Sequence, residues 1–226
     1  MPAHLSRWGT QSMPAPSRDE TGGVMKHAST RAVFNYWNGR RGNRSAPSRG
    51  DIDPGHISSA LGDTFMLSID FTDQFRFRLA GTRVCALFCR ELKGEAVTGL
   101  WRDDKRESIE DVLAGVLAET AGVVMGLTGR AEDGATMDLE MLLLPLDRND
   151  RSRTRILGVL VPTTPAYWIG AKPLAEIEIN TVRHLGSERG HRAAPRLAAP
   201  AAGSQLRHGF TVYDGGRTDA SKEHAG

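Results

Sequence analysis

The chain has 226 residues, 39% of them apolar, with 25 Gly, 11 Pro and a net charge of +2. That length carries one domain with a real core plus tails rather than two large domains, and the apolar share leaves part of the chain outside any core. No window approaches the roughly 18 consecutive apolar residues of a membrane span, no secretory signal pattern opens the chain, and the charge, though uneven, with a basic leader ahead of a mildly acidic body, is not dense enough for a nucleic-acid face, so the expectation is a cytoplasmic protein with no membrane partner.

Residues 1–24 are rich in Pro, Ser, Gly and Thr without periodic apolar positions and read as a disordered leader, with Met25 as an alternative start. Residues 25–62 form the next unit. Ser29 or Thr30 caps a helix running to about Asn38, with Val33, Phe34 and Trp37 as its apolar stripe and Gly39 as its end. A Gly/Pro/Ser-rich loop over residues 40–49 follows. Between residues 25 and 55 there are six basic against two acidic side chains. Asp53 then caps a short helix with Pro54 at its first position and Ile57 and Leu61 spaced to bury.

Residues 63–165 carry the alternating patterns of a core. Strands are predicted over 65–71 and 75–79 around a 70–74 turn, and the second runs through Gly81 into a short helix whose apolar face is Val84, Leu87 and Phe88. A longer helix spans 104–121, with Ile109, Val112, Leu113, Val116 and Leu117 at helical spacing and Asp104 with Glu107 as a capping box. Three more strands are predicted over 123–128, 136–144 and 154–161, joined at Asp133-Gly134 and by a polar turn over 147–152. This order implies an α+β fold: a five-stranded antiparallel sheet with helices on one face, flanked by the N-terminal helix and disordered tails. Residues 166–185 fit a strand or a helix. Residues 186–226 read as a disordered tail, in which 207–217 is a short β-prone island, either a docking segment that adds to a sheet edge or a chance cluster.

The strand, turn and helix over residues 79–94, with Leu87-Phe88 and Glu91-Leu92-Lys93-Gly94, resemble a PAS domain. Upstream, Tyr36-Trp37-Asn38, Arg40-Arg41-Gly42, Arg44 and Arg49-Gly50-Asp51-Ile52-Asp53-Pro54 resemble the leader of a family of stand-alone alphaproteobacterial PAS proteins. The resemblance covers residues 29–165. Cys89 departs from it, standing where the PAS pattern usually has Gly. The resemblance implies a PAS fold, in agreement with the sheet argued from periodicity, and a sensory or regulatory role.

Catalysis finds no support in the residues. There is no Gly-x-Ser-x-Gly elbow, no phosphate loop ending in Lys-Ser/Thr and no His-Glu-x-x-His helix, so no catalytic or metal residue is assigned and the chain is not read as an enzyme. Cys85 and Cys89 stand four apart on one helix, wrong for a structural disulfide and too few for zinc. Cys89 also precedes the Glu-Leu-x-Gly run, whereas in flavin-binding light sensors the reactive Cys follows it, and the 104–121 helix has no His for a haem. No flavin and no haem are expected. The candidate pocket is lined by Phe65, Phe77, Leu79, Leu87, Phe88, Leu113, Met125 and Met141, which either fill the core or enclose an unidentified small ligand. Arg40, Arg41, Arg44 and Arg49 are a candidate anion site, either a solvated loop or a grip on a phosphorylated nucleotide or nucleic acid.

PAS domains of this kind often pair through an N-terminal helix, so Val33, Phe34 and Trp37 are the candidate interface of a homodimer. The reading is a cytoplasmic PAS-type regulator that signals to a regulatory protein partner through protein contacts, without catalytic output. The alternatives are a small-ligand or nucleotide second-messenger sensor, and a nucleic-acid binder using the 40–49 loop.

Overall fold

A computed structural model describes residues 25–72, 74–147, 155–185, 205–207 and 210–212. Two compact units are distinguished, Met1–Ser187 and Glu188–Gly226. The expectations for the leader at 1–24, most of the 147–152 turn and most of the tail lie outside the described residues.

The first unit is built on one antiparallel sheet. Its strands are β1 (Thr64–Ile69), β2 (Phe75–Ala80), β3 (Gly122–Ala131), β4 (Thr136–Leu146), β5 (Arg155–Pro162) and β6 (Leu174–Leu185), in the spatial order β2-β1-β5-β4-β3-β6. The sheet therefore has one strand more than the five expected. β6 comes from the segment that periodicity left open, and it lies against β3 from Gly122↔Leu185 to Ala131↔Leu174. As an edge strand it is buried mainly at Leu174 and Ile177, which is why its pattern alone did not declare a strand.

The central strands show why so much of the sequence is apolar without alternation. From Leu139 to Leu146 in β4 and from Ile156 to Val161 in β5 every residue is buried, because both faces of the sheet are covered. Met125, Leu139, Met141, Leu143 and Ile156 belong to the core on one side, the inner face; Val124, Leu142, Leu144, Leu157 and Val159 belong to the core on the other, the outer face. Each fully buried side chain of this size contributes about 1.5–3 kcal/mol over exposure.

Helices α2 (Thr82–Phe88) and α3 (Arg106–Ala118) cover the inner face, α3 through Ile109, Leu113 and Val116. The expected capping box at its start is absent: the N-cap is Lys105, with no side-chain cap. The outer face is covered by α1 (Ala28–Arg41) and by a 3-10 helix, Pro54–Asp63, capped by the Asp53 carboxylate accepting from Gly55 N at 2.9 Å. Helix α1 starts earlier than predicted, with the His27 Nδ1 accepting from Ser29 N at 3.1 Å, and passes through Gly39 to end at Gly42.

In the second unit, β7 (Gln205–Arg207) and β8 (Phe210–Val212) pair with each other in antiparallel fashion. The island predicted at 207–217 thus overlaps strand structure that begins two residues earlier.

Candidate functional site

The site expected on the inner face is assembled by the strand, turn and helix β2-Gly81-α2. At Gly81 a Cβ would run into the carbonyl oxygens of Leu61 and Gly62, so the sharp turn admits only glycine. Helix α2 ends at Cys89 in the left-handed conformation, φ 50°, the geometry that explains why glycine is the usual residue there. Behind it, Phe65 meets Phe77 edge to face at 5.5 Å, and a Cβ on Gly158 would occupy the space of the Phe65 ring.

Of the eight expected pocket residues, Phe65, Phe77, Leu87, Phe88, Leu113, Met125 and Met141 are brought together in one buried inner-face cluster. Leu79 is not: it is 42% exposed. The reason is a β-bulge. Leu67 pairs with Phe77 but Met66 pairs with Leu79, so Arg78 is an extra residue in β2 and the alternation Phe75, Phe77, Leu79 breaks at its last step. Leu79 thereby faces the side of the sheet that Met66 occupies.

One polar group is left over among these apolar side chains. Trp101, 3% exposed and part of the same cluster, has an indole Nε1 with no hydrogen-bond partner. Sequence reasoning missed it, although a Trp between Leu100 and Arg102 at the end of a short 3-10 turn, Val97–Leu100, is a placement that demands a partner for its N–H.

Of the two cysteines, Cys85 on α2 is half-buried against the inner core and Cys89, at the end of the helix, is exposed. Cys85 Sγ lies 3.9 Å from the Ala80 carbonyl and 3.7 Å from Glu91 Oε1, and burial pushes its thiol up, with Glu91 and Glu95 adding to the shift. It is a protonated thiol at neutral pH. Helix α3 carries no His, and among the described residues no group of three or more His, Cys, Asp and Glu is arranged to hold a metal.

The expected interface on α1 is placed differently. Val33 and Trp37 are buried in the outer-face core of this same chain, and Trp37 Nε1 donates to the Pro145 carbonyl at 2.9 Å. Only Phe34 remains partly exposed, its ring 6.2 Å from that of Trp37. The stripe expected to face a second copy packs on the chain's own sheet instead, because two faces of one sheet need covering and α2 and α3 cover only one.

The four arginines expected in a 40–49 loop are likewise engaged at home, and Arg40 and Arg41 belong to the last turn of α1 rather than to the loop. Arg40 donates to Tyr36 Oη at 3.2 Å and lies over its ring, Arg41 donates to Asn38 Oδ1 at 2.7 Å and lies over Trp37, and Arg49 donates to the Ile52 carbonyl at 3.2 Å. Arg44 pairs with Asp51 at 2.8 Å. That guanidinium first, then the amide and hydroxyl of Ser48, hold the Asp51 carboxyl below the ordinary carboxylate value. Tyr36 Oη donates to the Asp51 carbonyl and accepts from Asp53 N. The Tyr-Trp and Arg-Gly-Asp-Ile-Asp-Pro segments are thus two halves of one latch, which strings α1, the loop and the 3-10 helix along the sheet.

Two buried carboxylates complete that attachment, and both escaped the sequence reading. Glu140, the one acid in the apolar run of β4, accepts from Lys26 N at 2.6 Å and His27 N at 3.0 Å, fixing the start of α1. Asp63, 4% exposed, accepts from Ser29 Oγ of α1 at 2.6 Å and from Arg83 Nε and Nη2 of α2 at 2.5 and 2.8 Å. Burial pushes the Asp63 carboxyl up, but Arg83 and Ser29 outweigh it and hold the group below its ordinary value. An acid inside an apolar strand, as Glu140 is, was the signal available in the sequence.

No helix among the described residues is long and apolar enough to cross a membrane. Comparison with curated proteins yields no match. Among solved structures the chain is similar to a Light-Oxygen-Voltage domain studied with a flavin analogue, at 14% identity and TM-score 0.39 over 48% of this chain and 82% of that one. It is similar to the PAS domain of a Colwellia psychrerythraea protein, at 15% identity and TM-score 0.35 over 48% and 94%. It is also similar to an RNA-binding Light-Oxygen-Voltage receptor, at 19% identity and TM-score 0.37 over 52% of this chain and 36% of the receptor. At such identities and scores these likenesses carry nothing about function. The sequence match is of another order: the family model described as a PAS domain fits residues 25–161, more than half of the chain, and takes in α1, the latch and strands β1 to β5. This chain belongs to the PAS domain family.

Proposed function

We propose that this PAS domain is a sensory module that passes the state of its inner-face core to helix α1 on the opposite face, and from there to a protein partner, without catalysis of its own. The observation that carries this reading is Asp63. Its carboxylate is the direct link between α2, which roofs the inner core, and α1, which covers the outer one: Arg83 holds it from one side and Ser29 from the other. A rigid charge-assisted contact between two elements on opposite faces transmits displacement better than apolar packing, which slides.

Amide hydrogen exchange tests it. Truncating the roof with Leu87→Ala should speed exchange in α1 as well as in α2, and adding Asp63→Asn should uncouple the two, leaving α1 indifferent to the Leu87 change. If α1 exchanges at the wild-type rate in Leu87→Ala alone, the reading fails.

Trp101 favours a second reading, a small acceptor molecule held in the inner core by the unpartnered indole N–H. Native mass spectrometry and the visible absorption spectrum of the purified protein check it. An adduct mass is expected, and a matching compound at a hundredfold excess over its Kd should stabilise the fold by about 2.7 kcal/mol. The bare chain mass with no ligand-dependent melting shift would sink this reading. With Arg40, Arg41, Arg44 and Arg49 all engaged within the chain, no contact favours the nucleotide or nucleic-acid alternatives.

A further inference from the structure

The two edges of the sheet are treated differently. At the β2 edge the chain itself adds a further segment: Phe77 N donates to the Glu95 carbonyl at 3.0 Å and Gly94 N to the Phe77 carbonyl at 2.8 Å. At the β6 edge only Ile177 is covered, by an isolated bridge to Trp101. From Glu178 to Leu185, among the described residues, nothing pairs with the outward side of the strand. An open edge of that length is a template for another strand.

What that strand is can be read from a bulge. Leu127 pairs with Ile179 but Gly126 pairs with Thr181, so Asn180 is an extra residue. Gly126 N, displaced from the ladder, donates to Thr181 Oγ1 at 3.2 Å, and Asn180 Nδ2 donates to Thr128 Oγ1 at 2.8 Å, which pins the bulge in place. In a regular strand, residues 178 and 183 stand on opposite faces and never oppose each other across a ladder. The bulge brings them to the same face: Glu178 lies opposite Thr128, and Arg183 opposite Val124. Ile179 and Val182, opposite Leu127 and Met125, both lie on the inner face.

We propose that β6 pairs antiparallel with β6 of a second copy of this chain, about a two-fold axis between Asn180 and Thr181, to make one continuous sheet across the two copies. Under that symmetry Glu178 of each copy faces Arg183 of the other, Ile179 faces Val182, and Asn180 faces Thr181. The side chains of Glu178 and Arg183 form no ion pair or hydrogen bond within their own chain among the described residues, and Val182 is 40% exposed. Charges on an open edge ordinarily repel strands; here their order matches this chain's own copy and opposes a strand that lacks it.

The test is a charge exchange on the full chain, read by sedimentation equilibrium. The wild type should dimerise. Glu178→Arg alone and Arg183→Glu alone, each setting like charges opposite at two symmetric places, should weaken dimerisation at least about tenfold, and the double variant should recover most of the loss. Val182→Lys, at an exposed position, should also weaken it, and amide exchange at 179–183 should slow as protein concentration rises. Both single variants change exposed side chains, so an unchanged melting temperature of the monomer shows that the fold is intact. A monomeric wild type, a dimer indifferent to both single reversals, or a double variant no better than the singles would overturn the proposal.

Discussion

Trp37 and Pro145 are joined by a buried hydrogen bond, indole Nε1 to carbonyl oxygen at 2.9 Å, across 108 positions of sequence. The acceptor is available because Pro145 lies past the end of one of the two ladders of its strand. The pairing of β4 with β3 ends at Leu143, so a proline is tolerated just beyond, and its carbonyl is free for the helix that crosses the outer face. Trp37→Ala should therefore destabilise the fold by about 3–5 kcal/mol, and Trp37→Phe, which keeps most of the packing, by about 1–2 kcal/mol. Urea unfolding measures both. A Trp37→Ala protein as stable as the wild type would return Trp37 to the surface.

Asp63→Asn should cost about 2 kcal/mol at neutral pH, since it removes the charge that Arg83 and Ser29 share. The sign of its pH dependence follows from the lowered carboxyl. A group whose folded value lies below its unfolded one stabilises the fold above the unfolded value and loses that contribution as pH falls through the folded value. The gap between wild type and Asp63→Asn should be full near neutrality and shrink below about pH 4, where the unfolded carboxyl takes up its proton. Chemical denaturation at both pH values checks this, and a gap that widens in acid contradicts it.

Cys89 occupies a left-handed backbone position, φ 50°, at which a side chain is strained. Cys89→Gly should raise stability by about 1 kcal/mol, while the β-branched Cys89→Val should lower it by a similar amount. Thermal melts of the two variants side by side decide the matter. Equal melting temperatures would mean that the end of α2 adapts without strain.

The bulge at Arg78 separates two residues that look alike in sequence. Phe77→Ala, in the inner core, should cost about 3–5 kcal/mol, whereas Leu79→Ser, at 42% exposure, should stay within about 0.5 kcal/mol of wild type. A large loss at Leu79 would place it back in the core.

The sequence by itself determined the strands with clean two-residue periodicity, the turns at Asp133-Gly134 and Gly81, the capping of the 3-10 helix by Asp53, and the seven apolar residues of the inner core, because each of these depends on neighbours within a few positions. It also determined that Val33, Phe34 and Trp37 form a contact stripe. What lay against that stripe was decided only in three dimensions, where the outer face of the sheet was open and α1 was the element that reached it. The same holds for Leu79 and for β6: a bulge is a mismatch between two strands and leaves no mark in either one alone. Asp63 and Glu140 belong to this second group too. Their partners stand 34 positions away at Ser29 and 114 at Lys26, and only the closed fold brings a helix start to a carboxylate that is otherwise one more charged residue in the chain.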